Sequence, residues 1–283
     1  PAQSNFSGVM HPLTWIARAQ AQGWDVLLDA AAFAPTHTLD LAKVRPDFVS
    51  LSFYKMFGYP TGVGALMVKR SAYARLRRPW FAGGTIAYAS VITPRHDLHD
   101  GHEGFEDGTL NFLSLPAITQ GLERLRPERL AAIESRIAAI AGWTLAQLAE
   151  LRHSNGAAMV SIYGPLDMEG RGASIAFNLL DPQGRLIDHQ RVDERATAQQ
   201  ISLRTGCFCN PGAGEAALGI SAEELSSCFS NHDRMNLQHF RACISDKGSG
   251  AVRVSFGVAS TLGDANVLLG CLLSFRDQQN PSG

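Results

Sequence analysis

Three short apolar runs set the limits on what this chain can fold into. Trp24 to Asp29, Asp47 to Phe53 and Val63 to Val68 each have strand length, and the stretches joining them are too long for simple hairpins. Residues 11–22 read as a helix ahead of the first run, with Pro12 early in it and Gly23 just past its end, the polarity those residues prefer. Strands alternating with helical stretches predict an α/β layer structure. Neighbouring parallel strands in such a structure bring their terminal residues to one sheet edge, where ligands bind. Asp29 closes the first run, and Lys55 follows 26 positions later, where the second runs into the glycine-rich turn Gly58 to Gly64.

A lysine amine joins an aldehyde cofactor when it is held still, partly dehydrated and close to phosphate-binding donors. The position of Lys55 suits that chemistry, although a lone strand-end lysine is more often a solvated side chain. A carboxylate such as Asp29, ending an apolar strand, needs a cationic partner or good hydrogen bonds. A protonated pyridine nitrogen would serve; so would a helix cap or a surface position.

Between Arg129 and Leu151 the apolar residues Leu130, Ile133, Ile137, Ile140, Leu145 and Leu148 keep a largely helical period, with Gly142 as a possible division. This helix is read as a boundary between residues 1–128, a large cofactor-binding domain, and residues 129–283, a smaller α/β domain. Ala157 to Tyr163, Ala173 to Leu179 and Val252 to Phe256 are strand candidates, an apolar helix runs to Phe275, and Ser226 to Gly250 reads as the least structured stretch.

The second domain carries Arg204-Thr205-Gly206-Cys207-Phe208-Cys209-Asn210-Pro211-Gly212. Its turn residues predict a loop, on which a thiol would be accessible and Arg204 would favour the thiolate. A Cys-x-Cys pair is also a zinc-binding element, but Cys228, Cys243 and Cys271 are scattered and form no second pair, so no metal is expected. Arg253 alternates with apolar neighbours on a strand, and an arginine fork suits a substrate carboxylate. Gly83-Gly84-Thr85 and Asp107-Gly108-Thr109 supply turns whose amides and hydroxyls could hold a phosphate.

Composition narrows the partners. Lys and Arg number 25 against 26 Asp and Glu, so no global field recruits nucleic acid or an anionic membrane. The apolar runs are too short to cross a bilayer, and a cytoplasmic location is expected. Five cysteines do not make a disulfide framework, and thiols are expected.

Several segments, in order, resemble the class V aminotransferase group of fold-type I enzymes that depend on pyridoxal 5'-phosphate, specifically its cysteine desulfurases, and most nearly the sulfurase domain of the molybdenum-cofactor branch. They are Gln3 to Gly8, Leu28 to Phe33, Ser52 to Lys55 with its turn, Phe105 to Thr109, Arg204 to Cys209 and Val252 to Gly257. The resemblance implies that Lys55 carries the cofactor, Asp29 pairs with its ring nitrogen and Ser52 contacts its phosphate. Asn5 matches an asparagine near the ring hydroxyl and substrate carboxylate. Thr109 matches a threonine reaching the phosphate of a neighbouring subunit, which implies a homodimer. Cys209 matches the cysteine that takes sulfur from L-cysteine as a persulfide, with alanine released, and Arg253 matches the arginine gripping the substrate carboxylate.

Two positions depart from the wider desulfurase pattern, Ala32 where a Gln or His is usual and Tyr54 where a histidine commonly precedes the lysine, although that tyrosine fits the molybdenum-cofactor branch; Gly214 replaces a cysteine typical of that branch. A phosphate-binding loop and a ring-stacking histidine are expected upstream of Pro1. No cofactor-binding extension is expected after Gly283, so that sulfur is expected to pass to a separate acceptor, such as a molybdenum-cofactor-binding protein. The alternatives are a class V aminotransferase or epimerase, in which Cys209 is incidental, and a non-catalytic fragment serving as a dimerisation or sulfur-carrier module.

Overall fold

The computed structural model describes residues 1–230, 237–244 and 247–279. In chain order its elements are α1 (Thr14–Ala21), β1 (Leu27–Asp29), β2 (Phe48–Ser52), α2 (Phe53–Phe57), β3 (Gly64–Val68), α3 (Arg70–Tyr73), β4 (Ile86–Ser90), β5 (Arg95–Leu98), α4 (Pro116–Arg124), α5 (Pro127–Glu150), β6 (Val160–Tyr163), β7 (Ser174–Leu179), α6 (His189–Ala198), β8 (Arg204–Gly206), α7 (Pro211–Leu218), α8 (Ala222–Ser230), α9 (Leu237–Ile244), β9 (Ala251–Ser255) and α10 (Leu262–Leu273). They form two compact units: Leu13–Arg129, the lysine unit, and Pro1–Pro12 with Leu130–Gly283, the cysteine unit.

In the lysine unit β1 runs parallel to β2, with Leu28 opposite Val49 and Asp29 opposite Ser50, and β3 returns antiparallel on the other side of β2. Asp47 ties the start of this sheet together. Its buried carboxylate accepts from Gln20 Nε2 at 2.8 Å and the Val26 amide at 3.0 Å and lies 3.6 Å from Lys69 Nζ. The side-chain bond from Gln20 leads the effects that hold its pKa below the usual carboxylate value. Gly64 is required where β3 meets β2, because a Cβ there would lie 2.6 Å from the Leu51 carbonyl oxygen. A separate antiparallel pair, β4 and β5, completes this unit's strands.

The cysteine unit holds an antiparallel sheet in the order β6-β7-β9-β8. Strand alternation gives it two faces. Ile175, Phe177, Leu179, Val252 and Val254 pack into the main core with Ile137, Leu145 and Leu148 of α5 and Leu268 and Leu272 of α10. Ala176 and Ala251 face the other way, toward a small cluster with Phe6 and Phe208.

Several sequence expectations change. Residues 1–12, expected with 13–128, pack with the cysteine unit, which is the larger of the two within this chain. They are bound there by the Gly172 amide to the Gly8 carbonyl at 2.8 Å and by Arg171. Arg171, 1% exposed, donates to the carbonyls of Ser7 at 2.9 Å, Ser174 at 3.0 Å and Pro165. Burial lowers its pKa, opposed by Asp167, and the carbonyls replace lost hydration. α5 passes through Gly142 without a break, since Ala141, Thr144, Leu145 and Leu148 continue its buried face, outweighing a glycine penalty of about 1 kcal/mol. In the Ser226 to Gly250 stretch α8 ends and α9 forms; residues 231–236 and 245–246 lie outside the described residues. Cys228 and Cys243, expected as thiols, form a disulfide between these two helices, with Cα atoms 5.8 Å apart.

Candidate active site

Lys55 sits on α2, a single helical turn, where the sequence suggested the end of a strand. Phe53 and Phe57, four residues apart, share one side of that turn with ring centroids 6.0 Å apart. Phe53 is buried, and Phe57 lies flat on Gly121 of α4, where a Cβ would be 2.5 Å from ring carbons. With these aromatics anchoring one side, Lys55 faces solvent, its Nζ 5.9 Å from the Tyr54 ring centroid. Gly58, at φ +83°, ends the helix by returning its amide to the Tyr54 carbonyl at 2.9 Å. Ser52 is the N-cap residue, and its hydroxyl makes no capping bond.

Asp29 projects from the carboxyl end of β1. Its Oδ1 accepts from the Ala31 amide at 2.9 Å and from the Ser50 hydroxyl at 3.2 Å, a partner that sequence reasoning missed and the parallel register supplies. These bonds fix the carboxylate while leaving Oδ2 outside them.

The two glycine-bearing turns come together: the Gly108 amide donates to the Gly83 carbonyl at 2.7 Å. Thr85 is fully buried and its hydroxyl is spent inside its own turn, on the Ala82 amide at 3.0 Å and carbonyl at 2.8 Å, so it offers nothing to a phosphate. Thr109 is exposed on the other turn. Arg78, another residue missed by the sequence reading, braces that turn by donating to Gly104 O at 3.2 Å and pairing with Asp107, its side chain only 7% exposed.

In the cysteine unit, the motif expected as a loop divides into strand, turn and helix. β8 ends at Gly206, Cys207 to Asn210 turn, and α7 begins at Pro211 with Asn210 as its N-cap, Oδ1 accepting from Ala213 N at 3.2 Å. Phe208 and Cys209 both take left-handed conformations, φ +55° and +58°. The Phe208 side chain is buried against Phe6, ring centroids 5.2 Å apart, and the cysteines on either side of it are exposed.

Arg253 shares its sheet face with Ala251, by alternation along β9, and lies directly opposite Arg204. Its guanidinium donates to the Asn5 carbonyl at 2.7 Å and stacks over the Phe208 ring at 4.9 Å. Asn5 itself donates from Nδ2 to the Phe208 carbonyl at 2.7 Å and accepts from Asn210 Nδ2 at 3.0 Å. The structure thus gathers Asn5, Arg204, Cys209 and Arg253 in one unit, and Asp29, Ser52, Lys55 and Thr109 in the other. Among the described residues, no group of three or more His, Cys, Asp or Glu is placed to hold a metal ion.

A family model described as Aminotransferase class-V matches residues 2–268. The molybdenum cofactor sulfurases of Bos taurus and Homo sapiens are each 40% identical to this chain, covering 98% of it and 33% and 32% of their own lengths. The chain therefore spans about a third of the length of these curated relatives. Among solved structures, the cysteine desulfurase from Thermococcus onnurineus NA1 superposes with a TM-score of 0.75 at 24% identity, over 98% of this chain and 59% of that one. The cysteine desulfurase CsdA from Escherichia coli gives 0.73 at 19%, over 97% and 58%. These likenesses establish an α/β fold shared with those structures.

Proposed function

The chain belongs to the aminotransferase class-V family, and from that premise we propose that it is a pyridoxal-phosphate-dependent cysteine desulfurase of the molybdenum-cofactor sulfurase type. The observation that carries the reading is the double use of Asn5. Its carbonyl holds the carboxylate-binding candidate Arg253, and its side chain holds the residues on both sides of the exposed Cys209. A carboxylate grip and a sulfur acceptor built on one short segment suit an amino acid substrate that delivers sulfur from its side chain.

The lysine unit's donor set fits an aromatic aldehyde bearing a phosphate. It offers a carboxylate with one oxygen already fixed, a solvent-facing amine, and a hydroxyl that α2 does not use. Lys55 would hold the cofactor through its amine, Asp29 would keep a proton on the ring nitrogen, and Ser52 would donate to the phosphate. Asn5 is assigned to the ring hydroxyl and substrate carboxylate, using the hydrogen-bonding capacity its amide retains. Pyridoxal phosphate, when bound, supplies an electron sink that makes the substrate Cα proton acidic.

Arg253, with Arg204 beside it, would orient L-cysteine by its carboxylate. Lys55 would take the Cα proton and return a proton to the product. Cys209 as thiolate would attack the substrate sulfur: the Cβ–S bond breaks, an S–S bond forms, and Cβ leaves as the methyl group of alanine. The thiol of Cys209 and the substrate sulfur are oxidised to a persulfide while Cβ is reduced, so no outside oxidant is needed. The persulfide sulfur would then pass to a separate acceptor, which we take to be a molybdenum-cofactor-binding protein. Thr109, on its braced turn, would serve the phosphate of a second copy in a homodimer, and we place the enzyme in the cytoplasm.

The test is the visible spectrum of the purified chain with pyridoxal phosphate, beside that of Lys55→Ala, before and after L-cysteine. A lysine-dependent band that changes with L-cysteine, and one added sulfur on Cys209 by mass spectrometry, are expected. Unchanged turnover of an amino acid by Cys209→Ser would favour an aminotransferase or epimerase instead, and absence of the band would favour a non-catalytic module.

A further inference from the structure

We infer that the side-chain amides of Asn5 and Asn210 form a relay that positions Cys209, an assignment that rests on the sulfur-accepting role proposed above. The two residues are 205 positions apart in sequence, and their amides are 3.0 Å apart in the fold. Each bond fixes the polarity of the next. The Ala213 amide is a donor, so Asn210 must turn Oδ1 toward it. That leaves Asn210 Nδ2 to face Asn5, which must answer with Oδ1. Asn5 Nδ2 is then directed at the Phe208 carbonyl, which only accepts. The line of bonds begins at the first turn of α7 and ends on the residue before Cys209.

Cys209 lies between the two points held, the carbonyl of 208 and the side chain of 210. The Asn210 amide closes the turn on the Cys207 carbonyl at 2.9 Å. Two successive non-glycine residues at positive φ make this turn costly, and such a conformation persists only where surrounding contacts over-determine it. The buried Phe208 ring is one such contact, and the amide relay is another. Because the Asn5 carbonyl also receives Arg253, the relay sets the thiol relative to the arginine proposed to hold the substrate carboxylate. Asn210 is therefore a positioning residue: it acts on the chemistry through the placement of Cys209.

Asn210→Asp separates this role from simple helix capping. An aspartate caps α7 as well as asparagine does, but it has no N–H for Asn5. If the Asn5 amide turned over to donate to the new carboxylate, its oxygen would face the Phe208 carbonyl and that bond would be lost. One link fails in either case. In the full chain with pyridoxal phosphate, Asn210→Asp is expected to keep the cofactor band and the KM for L-cysteine within about twofold, while kcat for sulfur release falls ~10- to 100-fold, the scale of a misplacement of about 1 Å. Amide hydrogen exchange across 207–210 should quicken about fivefold, the loss of one hydrogen bond, and iodoacetamide should modify Cys209 at a changed rate. The last two readings need neither cofactor nor turnover. Wild-type exchange and Cys209 alkylation rates in Asn210→Asp would overturn the relay. Changed exchange and alkylation rates in Asn210→Asp, together with a wild-type chain that releases no sulfur, would keep the relay and reject the desulfurase reading instead.

Discussion

Truncating Phe208 to alanine tests whether the cysteine turn is anchored by its middle residue. The residue is 4% exposed, and its ring packs on Phe6 at 5.2 Å, lies under the Arg253 guanidinium, and belongs to a cluster whose other buried members are Phe6, Ala176 and Ala251. Phe-to-Ala changes in cores cost about 3–5 kcal/mol, and a cluster of four buried residues places this one near the low end, about 3 kcal/mol. The positive φ at 208 is no easier for alanine, so no relief of strain offsets the loss. At about 2–4 °C per kcal/mol for a unit of this size, the transition that unfolds the cysteine unit should fall by about 6–12 °C. Calorimetry would measure it, with Phe208→Leu as the control: an apolar replacement that fills most of the volume should cost less than about 1.5 kcal/mol. A Phe208→Ala transition within about 2 °C of wild type would refute the anchoring argument.

Asp47→Ala should remove about 1–3 kcal/mol at neutral pH, because the Val26 amide and Gln20 lose a charged acceptor. Its folded pKa is depressed, so its contribution is present above the unfolded value of about 3.9 and is lost as pH falls through the lower folded value; the variant's acid limb should be flatter, and parallel limbs in urea titrations across that range would contradict the assignment. Burial pushes the Cys271 thiol above its ordinary pKa, so iodoacetamide at mildly alkaline pH should label Cys207 and Cys209 and spare Cys271 until the chain is denatured. Labelling of Cys271 at the rate of the exposed pair would reject its core placement. Gly64→Ala should cost about 1–3 kcal/mol by driving a methyl group into the Leu51 carbonyl and should weaken cofactor binding at the adjacent turn; an unchanged melt and cofactor affinity would show that β2 and β3 tolerate the added group.

The residues proposed to bear chemistry were singled out where local pattern marks the ends of elements. Asp29 and Lys55 stood at the ends of apolar runs, and the parallel pairing of β1 with β2 gives Asp29 its partner Ser50. The helical state of Lys55 was hidden because Phe53-Tyr54-Lys55-Met56-Phe57 continues an apolar strand in sequence, while the packing that accommodates the turn comes from Gly121, more than sixty residues away, which leaves room for the Phe57 ring. The N-terminal segment gave no local sign that it belongs with the cysteine unit, since its partners are Arg171, Phe208 and Asn210. Asn210 looked like a turn former, and it is one; its second use depends on a residue at the opposite end of the chain.

The paired arginines show how far a register argument reaches. Arg204 and Arg253 are directly opposed in the antiparallel pair β8 and β9. Like charges so placed are destabilising by a few tenths of a kcal/mol to about 1 kcal/mol, and an arginine cannot shed its proton to relieve the repulsion. The contacts of Arg253 include the Asn5 carbonyl and the Phe208 ring. A carboxylate reaching this face would meet both positive charges, so the field that makes the strand pair costly is the same field that would hold the proposed amino acid substrate. The strand carrying Arg204 then delivers the chain, within five residues, to Cys209. In this fold the register of one strand pair sets both the proposed site of anion capture and the distance along the backbone to the thiol, which is why the arginine and cysteine motifs are informative together and weak apart.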